Sequence, residues 1–231
     1  LLEHLLRPWT QQASPRKFRR FVSEGVARVA VGFEAMHYFI GGQEFTQPDA
    51  ASTYSRGEFE ELFTFREQVS PGQKLNIRPQ IGYSVDQWSV INHSANGFRL
   101  GRSCAGQTIV HSQLLALCPH DGDTFLLAQV TWLMQEESGG LLAGLATLPG
   151  MPLAVGVRHL ATNGTHERYV RAFLLPAVPA IGEEASLVLP PGMYQASRTL
   201  EVCRGAESWQ LRMVHVVQRG SDFDRVSYQA L

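Results

Sequence analysis

The sequence predicts a mainly β protein, and three observations support this. Apolar runs are short and rich in β-branched residues, turn signals separate them at close spacing, and long helical patterns are few. The turn signals include Pro190-Pro191-Gly192. With 231 residues and 44% hydrophobic content, the chain can form one large β domain or two small ones around a buried core. This pattern is typical of β-barrels or sandwiches, and we expect two barrels, or one barrel with a packed extension.

The N-terminal residues predict the end of a helix and a basic arm. Residues 3–9 indicate a helix tail that Pro8 terminates. Residues 10–20 are polar and basic and include Ser14-Pro15, which favours an extended or linker-like segment. We assign residues 1–23 to this helix end and arm.

The next segment predicts one strand, one short helix and an insertion. Residues 26–33 are rich in β-branched side chains and predict the first strand. Residues 35–40, followed by Gly41-Gly42, predict a short helix with a glycine stop. Residues 43–80 show weak patterns, which is typical of a long loop insertion with a helical turn.

The remaining sequence predicts two groups of strands. The first group is 87–92, 98–101, 113–118, 125–134 and 141–148, and the second is 169–175, 184–189, 198–202 and 211–218. Pro149 to Pro152 mark the boundary between them. We expect residues 24–150 to form the barrel, with an insertion near 34–80, and residues 151–231 to form the second β domain or extension.

Composition excludes several classes of protein. A formal net charge of −1 gives no global field that would attract nucleic acid or an anionic membrane. No apolar run is long enough for a membrane span. Cys104, Cys118 and Cys203 form no CxxC pair, which argues against a zinc site, and their odd number favours a reducing, cytoplasmic compartment. The chain starts without Met, so we expect it to be part of a longer protein.

Two polar motifs indicate a binding site. Residues 92–97 form a small polar cluster that ends in Gly97, inside a strand-like run, which marks a place where the backbone bends or approaches another group closely. Arg16, Lys17, Arg19 and Arg20 place four cations in five positions.

These residue types suit a ligand that contains both phosphate and a base. Arginine binds phosphate bidentately and matches the O6 and N7 acceptors of guanine. Asn92 and Ser94 offer hydrogen-bond donors and acceptors. Gly97 would let a ligand or a backbone approach where a Cβ would obstruct it. The combination fits a guanine nucleotide better than a bare phosphate.

An Arg-x-x-x-Arg motif followed by Asp/Asn-x-Ser-x-x-Gly on a strand resembles the PilZ domain family. Residues 129–132 and 140–145 are similar to the late strand pair of that family. The resemblance implies a six-stranded β-barrel and a bacterial receptor for the second messenger cyclic di-GMP, with no metal, no cofactor and no catalysis.

The resemblance also implies a role for each motif residue. Arg16 and Arg20 would hold phosphates and stack on guanine while the arm wraps over the ligand, and Arg19 would be a third cation. Asn92 would hydrogen-bond a guanine, Ser94 would reach a phosphate or a base edge, and Gly97 would keep the surface open. Binding would change the arrangement of the domains, and the signal would pass to a protein partner or to an N-terminal domain outside this sequence.

One departure from the family pattern is the separation of the two motifs. Asn92 follows Arg20 by 72 positions, where the family usually has about one strand and a turn. We attribute the extra length to residues 26–33 as a first barrel strand and to residues 34–80 as an insertion. A longer loop raises the free energy of closing the chain only slightly, since each doubling of its length adds about 0.6 kcal/mol.

Other interpretations remain open at this level. The basic run could be a solvated linker, residues 92–97 could be an ordinary bulge or hairpin corner, and the whole could be a PilZ-like interaction module that binds no nucleotide. We expect His93 to be packed or exposed, Trp132 to be a core residue, and Arg99 and Arg102 to be solvated. Catalytic motifs are absent from the sequence, and Cys118-Pro119-His120 does not by itself make a catalytic dyad.

Overall fold

The protein consists of two closed, six-stranded antiparallel β-barrels that follow one another along the chain. The computed structural model describes residues 18–48, 82–137, 139–160 and 167–231. The mainly β prediction is confirmed, and so is a second β unit in the last third of the chain. The predicted helix end at residues 3–9, the arm up to Lys17 and residues 49–80 of the predicted insertion 34–80 lie outside the described residues.

The first barrel has the strand order β3-β2-β5-β6-β7-β4 and closes through the pairing of β3 with β4. Its strands are β2 (Val26–Val31), β3 (Asp86–Ser94), β4 (Gly97–Arg102), β5 (Leu114–Cys118), β6 (Leu126–Gln135) and β7 (Leu141–Thr147). A short extra strand, β1 (Phe21–Val22), is added to β3. Strand β1 lies within the predicted arm.

The second barrel closes in the order β10-β13-β12-β11-β8-β9. Its strands are β8 (Leu153–His159), β9 (Val170–Leu175), β10 (Ser186–Leu189), β11 (Thr199–Arg204), β12 (Glu207–Arg219) and β13 (Asp224–Ala230), with a short 3-10 helix at Pro179–Ile181.

Strands β8 and β13 are not among the strands that the sequence predicts. Strand β8 contains Gly156, which weakens a strand pattern. Strand β13 begins with Asp224 and Arg225, both of which are buried. The Arg225 side chain donates to the Ser186 hydroxyl at 2.8 Å and pairs with Glu183 at 3.0 Å. Partners so distant in sequence compensate the buried charge, and no local pattern reveals them.

One helix, α1 (Phe33–Gly41), follows β2 directly. The predicted glycine stop is confirmed, because Gly42 has a φ of 71° and its N–H donates to the Tyr38 carbonyl at 2.8 Å. The preceding strand ends at Val31, two residues earlier than predicted. Gly32, with a φ of 86°, makes the sharp change from strand to helix.

Helix α1 fills the space between the two barrels. Its buried residues Ala35 and Met36 belong to one apolar cluster that also contains Leu127 of β6 and Phe173 of β9. The rings of Phe33 and Phe173 lie 5.4 Å apart, centroid to centroid. Each barrel also has its own interior cluster. The barrels therefore share a third apolar core, which stabilises their contact by removing surface from water.

The segment after α1 extends along the second barrel instead of forming a free loop. The Gln47 side chain donates to the Tyr169 carbonyl at 2.8 Å and accepts from the Tyr169 N–H at 3.0 Å. Phe45 lies against Gly156, where a Cβ would leave too little room for the ring. On α1 itself, Glu34 pairs with Arg171 at 2.9 Å.

Direct hydrogen bonds also join the barrels on the side of β5 and β6. The Leu114 N–H donates to the Asp222 carboxylate at 2.8 Å, and the Ser221 N–H donates to the Ser112 carbonyl at 2.9 Å. The Gln218 amide donates to Gln129 at 2.7 Å. These contacts fix the angle between the barrels in a way that apolar packing alone would not.

We expect the free energy of unfolding to fall as the pH is lowered from 7 to 5, in part through His37. This residue is buried on α1, and its Nε2 is 3.2 Å from the Val155 carbonyl oxygen of β8. Burial lowers the pKa of His37 below its ordinary value of about 6.5. As the pH falls, the unfolded chain therefore protonates His37 more readily than the folded protein does. The contribution of His37 to the free energy of unfolding is complete above the pKa of the unfolded state, and it is lost as the pH falls from there towards the pKa of the folded state. Chemical denaturation at several pH values measures this effect.

In the variant His37→Phe, the unfolding free energy should depend less steeply on pH, because the ring remains against Phe45 and Phe173 but cannot be protonated. The matched control is His120→Gln, since His120 is exposed in a turn. Equal pH dependence in wild type and His37→Phe would show that His37 is not responsible.

Candidate functional site

Strand β1 brings the two sequence motifs together. It pairs antiparallel with β3 in the register Phe21 opposite His93 and Val22 opposite Asn92. One further step along the same register brings Arg20 level with Ser94. Strand β2 pairs with the other half of β3, and α1 follows at the end of β2 that is remote from the motifs. The chain that connects the two motifs therefore leaves the barrel at this remote end of β2.

Residues 92–97 form the corner of the β3–β4 hairpin, one of the alternatives that the sequence leaves open. Ser94 pairs with Gly97 across a two-residue turn. The Ser94 hydroxyl is 3.2 Å from the Asn96 side-chain oxygen and 3.4 Å from the Gly97 carbonyl oxygen. A Cβ on Gly97 would overlap the carbonyl oxygen of Leu145 on β7. The prediction of a close backbone approach at Gly97 is thus confirmed.

A β-bulge at Ile91 decides which way Asn92 faces. Val90 lies opposite Leu100 and belongs to the barrel interior, whereas Asn92 lies opposite Arg99. In a regular strand Asn92 would share the inward face of Val90, because side chains alternate with a period of two. The extra residue turns Asn92 to the outer surface.

A second bulge does the same for Trp132 on β6. The register shifts between Val130, which faces the interior opposite Leu145, and Trp132, which lies opposite Gly144. Regular alternation would place Trp132 in the core, as the sequence predicts. That prediction is wrong, because the irregularity at Thr131 turns the indole to the outside.

The two bulges create one row of neighbours across four strands. The row runs from Asn92 on β3 to Arg99 on β4, Gly144 on β7 and Trp132 on β6. The indole lies over Gly144, where any Cβ would overlap it. The Arg99 guanidinium carbon lies 5.8 Å from the centroid of the Trp132 ring, within reach of a cation–π contact.

A cavity of about 140 Å³ lies over this row. The residues that line it are Arg20, Asn92, Ser94, Asn96, Gly97, Phe98, Arg99, Thr131, Trp132, Gly144, Leu145 and Ala146. The lining contains two arginines and no acidic side chain. A site of this composition attracts an anion, because nothing within it neutralises the two cations.

The structure brings together four of the six predicted site residues. Arg20, Asn92, Ser94 and Gly97 all line the cavity. Arg19 does not, since its guanidinium carbon lies over the Phe21 ring at 5.6 Å from the centroid. The sixth residue, Arg16, lies outside the described residues. His93 is packed between Phe21 and Phe98, with ring centroids 5.9 and 6.1 Å away, as the sequence predicts.

The expectation that Arg99 and Arg102 are solvated is wrong for both residues. Arg99 lines the cavity, and its Nε is buried without a hydrogen-bond partner among the described residues. The Arg102 side chain is only 9% exposed, pairs with Asp86 and lies over the Trp88 ring at 4.6 Å. The sequence gives one indication that Arg99 belongs to the site, its place two residues after Gly97. The strand register shows in addition that it shares a face with Asn92.

Three further observations concern the rest of the described structure. A larger cavity of about 440 Å³ lies between the end of α1 and β8, and its lining includes His37, Phe45 and Cys203 but none of the motif residues. In the part of the chain that the structure describes, no group of three or more histidine, cysteine, aspartate or glutamate side chains could hold a metal ion. No helix in the described ranges is long and apolar enough to cross a membrane.

Comparison with protein families finds two models that match separate parts of the chain. Residues 1–69 match the family model described as the middle PilZ domain of the cyclic-di-GMP receptor FimW. The N-terminal part of the chain is thus similar to a PilZ domain. Residues 155–231 match the model of the FimW C-terminal beta-barrel domain, which corresponds to the second barrel. Residues 92–97 lie between the two matched ranges, so their association with the PilZ domain comes from the β1–β3 pairing.

One relative is similar along most of the chain. It is the cyclic-di-GMP receptor FimW of Pseudomonas aeruginosa, which is 25% identical over an alignment of 239 positions that covers 87% of this chain. The chain spans about two fifths of that relative, since the alignment covers 39% of its length. No solved structure matches the chain.

The position of the Trp132 indole should depend on the absence of a side chain at residue 144. We expect Gly144→Ala to displace the ring, because the new methyl group would occupy its place, and to destabilise the fold by about 1–3 kcal/mol. The resonance of the Trp132 indole N–H in a nitrogen–proton NMR spectrum should shift clearly. Gly122→Ala is the control, since a Cβ there makes only an ordinary contact of 3.5 Å with Pro119. An unchanged Trp132 resonance in Gly144→Ala would contradict this account.

Proposed function

We propose that this chain is a non-catalytic receptor for cyclic di-GMP in the bacterial cytoplasm, and that it needs no cofactor. The observation that supports the proposal is the convergence of Arg20, Asn92, Ser94 and Gly97 at one cavity that contains two cations and no anion. The relative named as a cyclic-di-GMP receptor supports the same ligand.

The arm completes the site in this proposal. A cavity of about 140 Å³ is smaller than the roughly 300 Å³ or more of typical ligand pockets, so a cyclic dinucleotide would cover it and extend into solvent. Arg20 is exposed at the start of β1. Arg16, four positions earlier, would close over the outer side of the ligand, and both guanidinium groups would hold phosphates or stack on guanine.

The strand residues would bind the bases. The Asn92 amide would hydrogen-bond a guanine, and the Ser94 hydroxyl would exchange its contacts within the turn for one with a phosphate or a base edge. The outward-facing Trp132 would offer an aromatic face for stacking. Gly97, which packs against the β7 backbone, would keep the surface low enough for the ligand to approach.

Output would begin with the ordering of the arm. A change in the arrangement of the two barrels is also a prediction of this proposal, and it would have to displace α1 from the apolar cluster that the barrels share. The ordered arm would present a new surface to a protein partner or to a domain that precedes this sequence. A PilZ-like interaction module without a ligand is the competing function, and it predicts no binding of the nucleotide.

Calorimetric titration of the chain with micromolar cyclic di-GMP tests the proposal. Arg20→Ala should weaken binding by about 1.5–3 kcal/mol because it removes a charge-assisted contact, and Asn92→Ala by about 1 kcal/mol because it removes a neutral one. The control is Arg212→Ala, an exposed arginine on β12 of the second barrel, which should leave the affinity unchanged. No heat with the wild type at low and moderate salt, at two temperatures, would favour the ligand-free module.

Arm ordering is tested separately by limited digestion with trypsin. The protease cleaves after lysine and arginine, and residues 16–20 contain four such sites. Cyclic di-GMP should slow cleavage there several-fold, because an ordered segment is a poor protease substrate, while GTP at the same concentration should not. Equal cleavage rates with and without the dinucleotide would show that the arm is not part of the site.

A further inference from the structure

Arg99 is a half-buried cation without a counterion. Its Nε is buried and makes no hydrogen bond to the described residues. No carboxylate in the described ranges forms an ion pair with it, whereas the most buried arginines elsewhere, Arg102, Arg158 and Arg225, all have one. Removing a guanidinium partly from water without a partner costs free energy. A ligand that supplies acceptors at this position would recover that cost.

The indole of Trp132 lies beside the Arg99 guanidinium. The guanidinium lies 5.8 Å from the centroid of Trp132, and the indole is held over Gly144. A neighbouring ring restricts the rotation of a guanidinium, which lowers the entropy lost when its donors bind a ligand. A phosphate can be bound by a cation from many directions, but the planar edge of a base requires a planar fork of donors.

We propose that Arg99 reads a nucleobase and selects guanine over adenine. Guanine presents two acceptors on one edge, O6 and N7, which match the two parallel donors of an arginine. Adenine presents N7 as an acceptor but an amino group as a donor, which faces the guanidinium unfavourably. Asn92, the neighbour of Arg99 across the β3–β4 pair, supplies a further donor and acceptor at the same place.

This division of labour separates Arg99 from Arg20. Arg20 reaches the cavity from the exposed β1 end, and in the function proposed above, on which this inference rests, it holds a phosphate or stacks on the face of a base, contacts that do not read a base edge. Phosphate contacts position a nucleotide without distinguishing bases, whereas base-edge contacts discriminate. Replacing Arg20 should therefore weaken all cyclic dinucleotides alike, and replacing Arg99 should change their ratio.

The test compares the affinities of cyclic di-GMP and cyclic di-AMP for the full chain and for three variants. The wild type should prefer cyclic di-GMP. Arg99→Gln should lower the ratio of the two affinities by roughly tenfold or more, because glutamine loses the match to guanine and gains one to N6 and N7 of adenine. Arg99→Lys keeps the charge without the fork and should bind both ligands with a reduced preference. Arg20→Ala should weaken both by similar factors and keep the ratio.

The outcomes separate this inference from the proposed function. A wild type that does not bind cyclic di-GMP overturns both. A wild type that binds it, together with an unchanged ratio in Arg99→Gln, overturns only the role of Arg99, whether the two affinities fall equally, as for a phosphate contact, or stay the same. A cooperative thermal unfolding transition checks that each variant is folded. If Arg99→Gln is not folded, the affinity ratio of Arg99→Lys decides whether Arg99 selects guanine.

Discussion

Strand β3 is the element on which the arrangement of the site depends. It pairs with β1 and β2 along one edge and with β4 along the other. The pairing with β2 and β4 closes the barrel, and the two-residue extension by β1 brings Arg20 level with the β3–β4 corner. Backbone hydrogen bonds thus hold the cation of one motif beside the polar groups of the other, however long the chain between them is.

Two bulges place on the outer wall of the first barrel the side chains that line the smaller cavity. Without them, strand alternation would direct Asn92 and Trp132 into a core that Val90, Val130 and Leu145 already fill. Each extra residue turns the next side chain to the outer face of the sheet. The amide of Asn92 and the ring of Trp132 therefore lie on either side of Arg99. Gly144 leaves space for the ring between them. The local loss of ladder regularity therefore produces the chemistry of the site.

The same stretch of chain leads from the site to the contact between the barrels. Arg20 precedes β1, β2 follows after three residues, and α1 begins two residues after β2. Helix α1 is buried between the barrels, and Phe45 and Gln47 beyond it pack on the second barrel. A displacement of β1 would be transmitted to α1 through the short strand β2. The apolar core around α1 opposes any large rotation of the barrels, since opening it would expose Met36 and Phe173 to water.

By itself the sequence determined the β class, the glycine stop of α1 and the two motifs, because β-branched runs, turn residues and charge clusters are local signals. It did not show β8, β13, the outward position of Trp132 or the position of Arg99 at the cavity. Those features depend on register, on bulges and on partners far away in sequence, such as Glu183 for Arg225. The tertiary structure decided them, because only strand pairing establishes which side chains share a face.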